Sequence, residues 1–245
     1  MAYAVVAGHN SIVPGASGNG YKEHVVARQI KDRVIYYLKQ LGEVAHDCSD
    51  EIGRTKEQVW KNAANNCNKA IGKNGYVIAI HLNAGGGTGT EVFDYKGGQK
   101  DKCQRISARL SKDFGWNNRG WKNGDWIGLI KITQAPVVYV EVCFIDNKND
   151  MQKLMADIDK AAIGIVEEMT GKKINVSPPK KEEVKVSGAK PNWADWQWKE
   201  AEQIYKKARE KGIITSDQWE KKAANKNLTF DEIEYLNLVL NGRVL

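Results

Sequence analysis

Apolar residues arrive in short unbroken runs that alternate with longer stretches in which they recur every three or four positions, and this rhythm holds for the first two-thirds of the chain. Tyr3 to Ala7 reads as a buried strand. Val26, Ile30, Val34, Leu38 and Leu41 then have helical spacing from Glu23 to a stop at Gly42. Val44 to Cys48 is a second strand, and Thr55 caps a helix that carries Val59, Ala63, Cys67 and Ile71. Tyr76 to Ile80 is apolar throughout, as a central strand must be. After the turn Gly85-Gly-Gly-Thr-Gly come a strand from Glu91 to Tyr95 and a helix through Cys103, Ile106, Leu110 and Phe114. Trp116 to Gly128 has no clear period and predicts a surface loop. Pro136 opens the strand Val137 to Cys143, and Met151 to Met169 predicts one last helix stopped by Gly171.

Alternating strands and helices predict an α/β fold, a twisted and mostly parallel sheet flanked by helices, over residues 1–171. Residues 172–191 change character, with paired lysines, paired prolines and almost no apolar mass, so they read as a linker. Residues 192–245 show three helical patterns and no strand, a small all-α domain: Trp193 to Gly212, a second helix capped by Ser216, and a third opened by the capping box Thr229-Phe-Asp-Glu232. A unit this small is expected to draw much of its buried area from its tryptophans or else to oligomerise.

Composition narrows the partners. A formal charge of +7 favours something anionic. No basic run is interleaved with aromatics and no compact DNA-reading motif is present, so nucleic acid is excluded. From Lys180 onward there are 13 Lys and Arg against 11 Asp and Glu, which leaves most of the excess on the first domain. The opening Met-Ala-Tyr-Ala-Val-Val-Ala has no basic leader and is too short to span a bilayer; synthesis in the cytoplasm without a signal peptide, and no membrane insertion, are expected. Cys48, Cys67, Cys103 and Cys143 are widely spaced and read as buried reduced thiols.

Four residues carry the candidate chemistry. His9 and His81 each follow an apolar strand, where α/β proteins place their sites, and Glu23 stands where the first helix begins. Two histidines and a carboxylate are the ligand set of a catalytic zinc with an open position. His24 is the neighbour that could replace Glu23 if the helix were rotated by one residue. Glu141 lies within Val-Tyr-Val-Glu-Val, where an ionised carboxylate is costly unless a metal, cation or proton compensates. His46, in mid-strand, reads as structural.

The same residues carry a family resemblance. Gly8-His9, the glycine-rich loop running to Glu23, Ile80-His81-Leu-Asn83-Ala84, Arg119-Gly120 and Ala135-Pro136-Val-Val-Tyr-Val-Glu141-Val-Cys-Phe144 to Asp150 resemble the zinc-dependent N-acetylmuramoyl-L-alanine amidases of type 3, over about residues 3 to 170. The resemblance implies that His9, Glu23 and His81 bind Zn2+ and that Glu141 is the catalytic carboxylate. It implies a peptidoglycan hydrolase that cuts the amide between N-acetylmuramic acid and L-alanine, with Asn83 and Arg119 as candidate contacts to glycan or peptide. Two polar positions of the family pattern are apolar here, Val13 and Ala79. With no leader and a second domain, the chain looks like a phage endolysin that meets peptidoglycan and wall polymers, and residues 192–245 would bind the cell wall. A host autolysin or sporulation amidase, a catalytically dead wall-binding protein, and a zinc peptidase of the stem peptide are the alternatives.

Overall fold

Val5 and Val6 lie at the centre of the first strand because apolar side chains there are covered from both faces of a sheet. The computed structural model describes residues 1–175, 190–210, 213–214, 216–230, 232–233 and 236. Two compact units divide the chain, Met1–Val176 and Ser177–Leu245. Most of the expected linker, and the last part of the third C-terminal helical pattern, lie outside the described residues.

In the first unit, β1 (Ala2–Ala7) leads through the two-residue strands β2 (Ser17–Gly18) and β3 (Tyr21–Lys22) into α1 (Glu23–Gln40). Next come β4 (Val44–Asp47), α2 (Lys56–Ile71), β5 (Tyr76–Asn83), β6 (Thr90–Asp94) and α3 (Lys100–Phe114). Then follow β7 (Asn118–Asn123), α4 (Gly128–Ile132), β8 (Val137–Phe144), α5 (Lys148–Ala156) and α6 (Ile158–Thr170). The six-stranded sheet has the order β4-β1-β5-β8-β6-β7. It is mostly parallel; β6 runs antiparallel to β8 and parallel to β7.

The two faces have different covers. Val26, Ile30, Val34 and Leu38 of α1 join the inward residues of α3 and α6 in the larger apolar cluster, with Ile78, Ile80, Val138 and Val140 from the strands. Each such fully buried Leu or Ile stabilises the fold by about 1.5–3 kcal/mol relative to exposure. The opposite face is shared by Ala63, Ala64 and Cys67 of α2 and Leu129 and Ile130 of α4. All four cysteines are buried free thiols.

Three expectations need correction. Residues 118–123 are an edge strand rather than loop. The sequence Asn-Arg-Gly-Trp-Lys-Asn has no buried residue, so no alternation betrays it, and its polar character is that of a protected sheet edge. The last helix of the unit is two helices, because the Asp157 side chain accepts the Lys160 N–H at 2.9 Å and starts a new one. The strand expected to stop at Ile80 continues to Asn83, so His81 lies within it. Thr55 does cap α2, accepting from the Gln58 N–H at 3.2 Å.

An ion-pair knot ties α6 to α3. Arg109 donates to Asp113 at 2.6 Å and to Glu167 at 2.7 Å, and Glu167 also accepts from Lys173 Nζ at 3.0 Å and the Ile174 N–H at 2.9 Å. Burial alone would raise the Glu167 pKa, but Arg109, the Ile174 N–H and Lys173 bring it down to about 2. A folded pKa below the unfolded value, about 4.3 for Glu, gives stability that is present above the unfolded value and lost as pH falls through the folded one. Glu167→Gln is therefore expected to be less stable than the parent by on the order of 1–2 kcal/mol near about pH 6, with the gap closing toward about pH 2. Thermal melts across that range decide it; a gap independent of pH would exclude the ion pair as its cause.

In the second unit, α7 (Asp195–Glu210) and α8 (Gln218–Ala224) enclose a separate core of Trp198, Ala201, Tyr205, Ala208, Ile214, Ala223, Leu228 and Leu236. Ser216 Oγ accepts the Gln218 N–H at 3.2 Å. The capping box at Thr229 is formed in both directions, Thr229 N–H to Glu232 Oε2 at 3.1 Å and Glu232 N–H to Thr229 Oγ1 at 3.3 Å.

Candidate metal and catalytic site

β1 ends in a sharp bend that presents His9. Its backbone is in the left-handed region, φ 62°, which costs a non-glycine residue roughly 1 kcal/mol or more. Neighbours hold it there. The Gly8 N–H donates to Ile80 O at 2.8 Å, and Arg28 Nη2 donates to His9 O at 3.0 Å. The Asn10 amide, fully buried, donates to Asp50 and Gly53 O and accepts the Ile12 and Val13 N–H groups.

Glu23, the first residue of α1, is 3% exposed and joins the two histidines. Its Oε2 lies 3.2 Å from His9 Nε2, and its Oε1 lies 3.0 Å from His81 Nδ1. Backbone groups fix the carboxylate, with Ala16 N–H on Oε2 at 2.9 Å and Leu82 N–H on Oε1 at 3.2 Å. Burial by itself would raise its pKa, but hydrogen bonds and charge from His81 and His9 drive it well below the usual carboxylate range. Burial lowers the His81 pKa, which favours the neutral ring that can ligate.

The donor set fits a zinc ion. One potential ligand atom from each residue lies within 4.8 Å of the others, and among the described residues His9, Glu23 and His81 form the one group of this kind. The surroundings leave no slack: a Cβ on Gly8 would stand 2.0 Å from the His81 ring, and one on Gly15 would stand 2.4 Å from Glu23 Oε2. His24 is not in the cluster. One residue along a helix turns the side chain by about 100°, so Glu23 and His24 cannot both face the site.

β8 pairs with β5 so that Glu141 stands beside His81, two residues beyond Tyr139 on the same face. The Tyr139 ring stacks on the His81 imidazole at 4.3 Å and orients it. Glu141 Oε2 is buried and is the one such side-chain atom without a hydrogen-bond partner among the described residues. Burial, then the charges of Glu23 and Glu91, push the Glu141 pKa well above the ordinary carboxylate value.

Glu91, which the sequence reading missed, stands directly opposite Glu141 on β6. It brings together the two other candidate residues, taking Asn83 Nδ2 on Oε1 at 2.6 Å and Arg119 Nε on Oε2 at 2.7 Å. The Arg119 guanidinium lies over the Phe144 ring at 4.9 Å and stays 37% exposed. The glycine loop between Asn83 and Glu91 is pinned by Asp146, which accepts the Gly85 and Gly86 N–H groups at 2.8 Å each, and by Asp150, which accepts the Gly89 N–H at 2.8 Å. Strand alternation was the signal available for Glu91: it shares a face with Phe93, as Glu141 does with Tyr139.

This arrangement can be compared with known proteins. The sequence profile of the N-acetylmuramoyl-L-alanine amidases matches residues 4–170. The chain belongs to that family. It is 31% identical over 199 residues to the endolysin of Bacillus phage SPP1, spanning 74% of this chain and 71% of that one. It is 29% identical over 154 residues to the N-acetylmuramoyl-L-alanine amidase CwlM of Bacillus licheniformis, spanning 60% and 58%. Its fold is that of the catalytic domain of the CD27L endolysin targeting Clostridia difficile, with a TM-score of 0.64 and 24% identity over 71% of this chain and 99% of that one. Within this amidase frame the apolar Val13 and Ala79 have distinct surroundings. The loop at Val13 is anchored by Asn10 and Asp50, and Ala79 is packed in the apolar layer.

Proposed function

We propose that the chain is a zinc-dependent N-acetylmuramoyl-L-alanine amidase of the endolysin kind, which hydrolyses the amide between the lactyl group of N-acetylmuramic acid and L-alanine in peptidoglycan. The observation that carries the reading is the buried, unpartnered Glu141 Oε2 beside a three-donor cluster. A polar atom left unsatisfied in this way costs about 1–3 kcal/mol, a cost that a bound water and substrate offset. His9, Glu23 and His81 would hold the metal. When bound, zinc supplies positive charge that polarises the amide carbonyl and acidifies water.

The protein groups perform the rest. Glu141 takes a proton from water as its oxygen adds to the carbonyl carbon, and delivers that proton to the nitrogen as the C–N bond breaks. Tyr139 keeps the His81 ring in place, and Glu91, opposite Glu141, holds Asn83 and Arg119 beside it. The outer nitrogens of Arg119 can then engage a stem-peptide carboxylate. The endolysin reading draws support from the similarity to the phage enzyme, which extends over more of the chain than that to CwlM. Residues 192–245 would attach the enzyme to the wall. No described helix is long and apolar enough to cross a membrane.

Digestion of purified peptidoglycan tests this. New L-alanine amino termini should appear together with intact muramoyl lactyl groups, and a chain ending at residue 175 should release the same ends but sediment less with walls. New termini within the stem peptide would instead make the enzyme a peptidase.

A further inference from the structure

The bend that presents His9, with its φ of 62°, is one that a histidine rarely adopts, and the groups that hold it come from distant parts of the chain. Asn10 is fully buried and uses both ends of its amide. Its oxygen accepts the Ile12 and Val13 N–H groups at 2.9 and 2.7 Å, and its nitrogen donates to Asp50 Oδ2 at 2.7 Å and to Gly53 O at 2.8 Å. Val13, apolar where the family pattern is polar, joins this network through its backbone alone, with its carbonyl accepting the Asn10 N–H at 3.2 Å.

The carboxylate in the network is Asp50, in the turn after β4, and it is 2% exposed. Its Oδ2 accepts from Asn10 Nδ2 and from the Gly53 N–H at 2.9 Å. Its Oδ1 accepts from Asn62 Nδ2 of α2 at 2.8 Å and, more loosely, from the Ile52 N–H at 3.4 Å. These donors are all neutral amides. The turn closes tightly on the carboxylate, since a Cβ on Gly53 would stand 2.7 Å from Oδ2. A second tie runs through the backbone, where Arg28 Nη2 of α1 donates to Asp50 O and to His9 O at 3.0 Å each.

Burying a carboxylate among amides is a costly way to pack a turn. What it provides is acceptance at both oxygens. An amide in its place would set an NH2 group against N–H donors at one end, so only a carboxylate satisfies Asn10 and Asn62 together. We propose that Asp50 is a positioning residue of the metal site. Through Asn10 it holds the His9 bend in the orientation that brings Nε2 to Glu23, and through Asn62 it anchors that bend to α2. The inference rests on the reading of His9, Glu23 and His81 as zinc ligands. Asp50 acts on the backbone that carries the ligand and not on the ring, so its influence on zinc passes entirely through where His9 points.

The zinc affinity of the full-length chain, measured by competition with a chromogenic chelator, decides the assignment. Asp50→Asn should weaken it by roughly ten- to a hundred-fold, the usual effect of losing a group that orients a ligand. Combining Asp50→Asn with Asn62→Asp should recover most of that loss, because the new amide can donate to the carboxylate at position 62 and keep its oxygen for Asn10. Glu167→Gln loosens the distant knot between α3 and α6 and should keep the parental affinity even where it lowers the melting temperature. Should Asp50→Asn fail to fold, Asn62→Ala, which removes a single donor from a half-buried position, carries the test with a loss of about two- to five-fold. Parental affinity in the variant that carries the test, or an equal loss in Glu167→Gln, would overturn the assignment. A parent chain that binds no zinc would defeat the metal reading instead. The His9 ring signals in NMR spectra of the metal-free chain would then judge the positioning: they should move in Asp50→Asn, and unmoved signals would overturn it.

Discussion

Glu141→Ala is expected to lower kcat on peptidoglycan by about 10²–10⁴-fold, the usual contribution of a positioned general acid and base, while the chain still binds about one zinc. The separation of the two effects follows from geometry. Glu141 is beside His81 in the strand register, yet the three candidate ligand atoms are gathered by Glu23 and by the bend at His9, neither of which depends on it. Its Oε2 has no hydrogen-bond partner to abandon, so truncation leaves no new unsatisfied group. The variant should therefore melt at the parent temperature or above, because a buried carboxyl has been removed. Zinc content by elemental analysis, release of amino termini and a thermal melt check the three parts. A variant that keeps near-parental turnover removes Glu141 from the mechanism.

Glu23→Ala should abolish zinc binding and activity together, with metal content below about a tenth of an ion per chain. The carboxylate is the bridge between His9 and His81, and two backbone N–H groups hold it in the ligating orientation. Its loss also leaves the buried Leu82 N–H without an acceptor, a cost of about 1–3 kcal/mol that a melt of the metal-stripped protein should show. His24→Ala is the control and should keep both metal and turnover. A Glu23→Ala chain that still carries a full complement of zinc would mean that the ligand set is different.

The main strands and helices, and the separation of a helical tail, were legible because they rest on local rules. An apolar run such as Tyr76 to Ile80 has to be central in a sheet, and the spacing of Val26, Ile30, Val34 and Leu38 has to turn inward on a helix. His9, Glu23, His81 and Glu141 stood out for a related reason: a polar residue that interrupts or ends an apolar element is costly without a purpose, and a family pattern runs through all four. β7 was hidden since an edge strand needs only backbone pairing and its side chains face water.

Several features depend on residues distant in sequence and could be decided only by the folded chain. Periodicity could not choose between Glu23 and His24; the packing of α1 against the sheet sets its rotation and turns Glu23 to the histidines. Nothing local in Thr90-Glu91-Val92 shows that Glu91 faces Glu141, because that juxtaposition comes from the antiparallel register of β6 on β8. A cavity beside His9 and His81, lined by Trp60 and Trp126, is built from α2 and the start of α4, far apart in the chain. Sequence alone marked His9, Glu23, His81 and Glu141 as candidates, because a polar group that interrupts or ends an apolar run leaves a local mark, and it left Glu91 unmarked. Tertiary structure decided which of them meet, because register and helix rotation are properties of the packed whole.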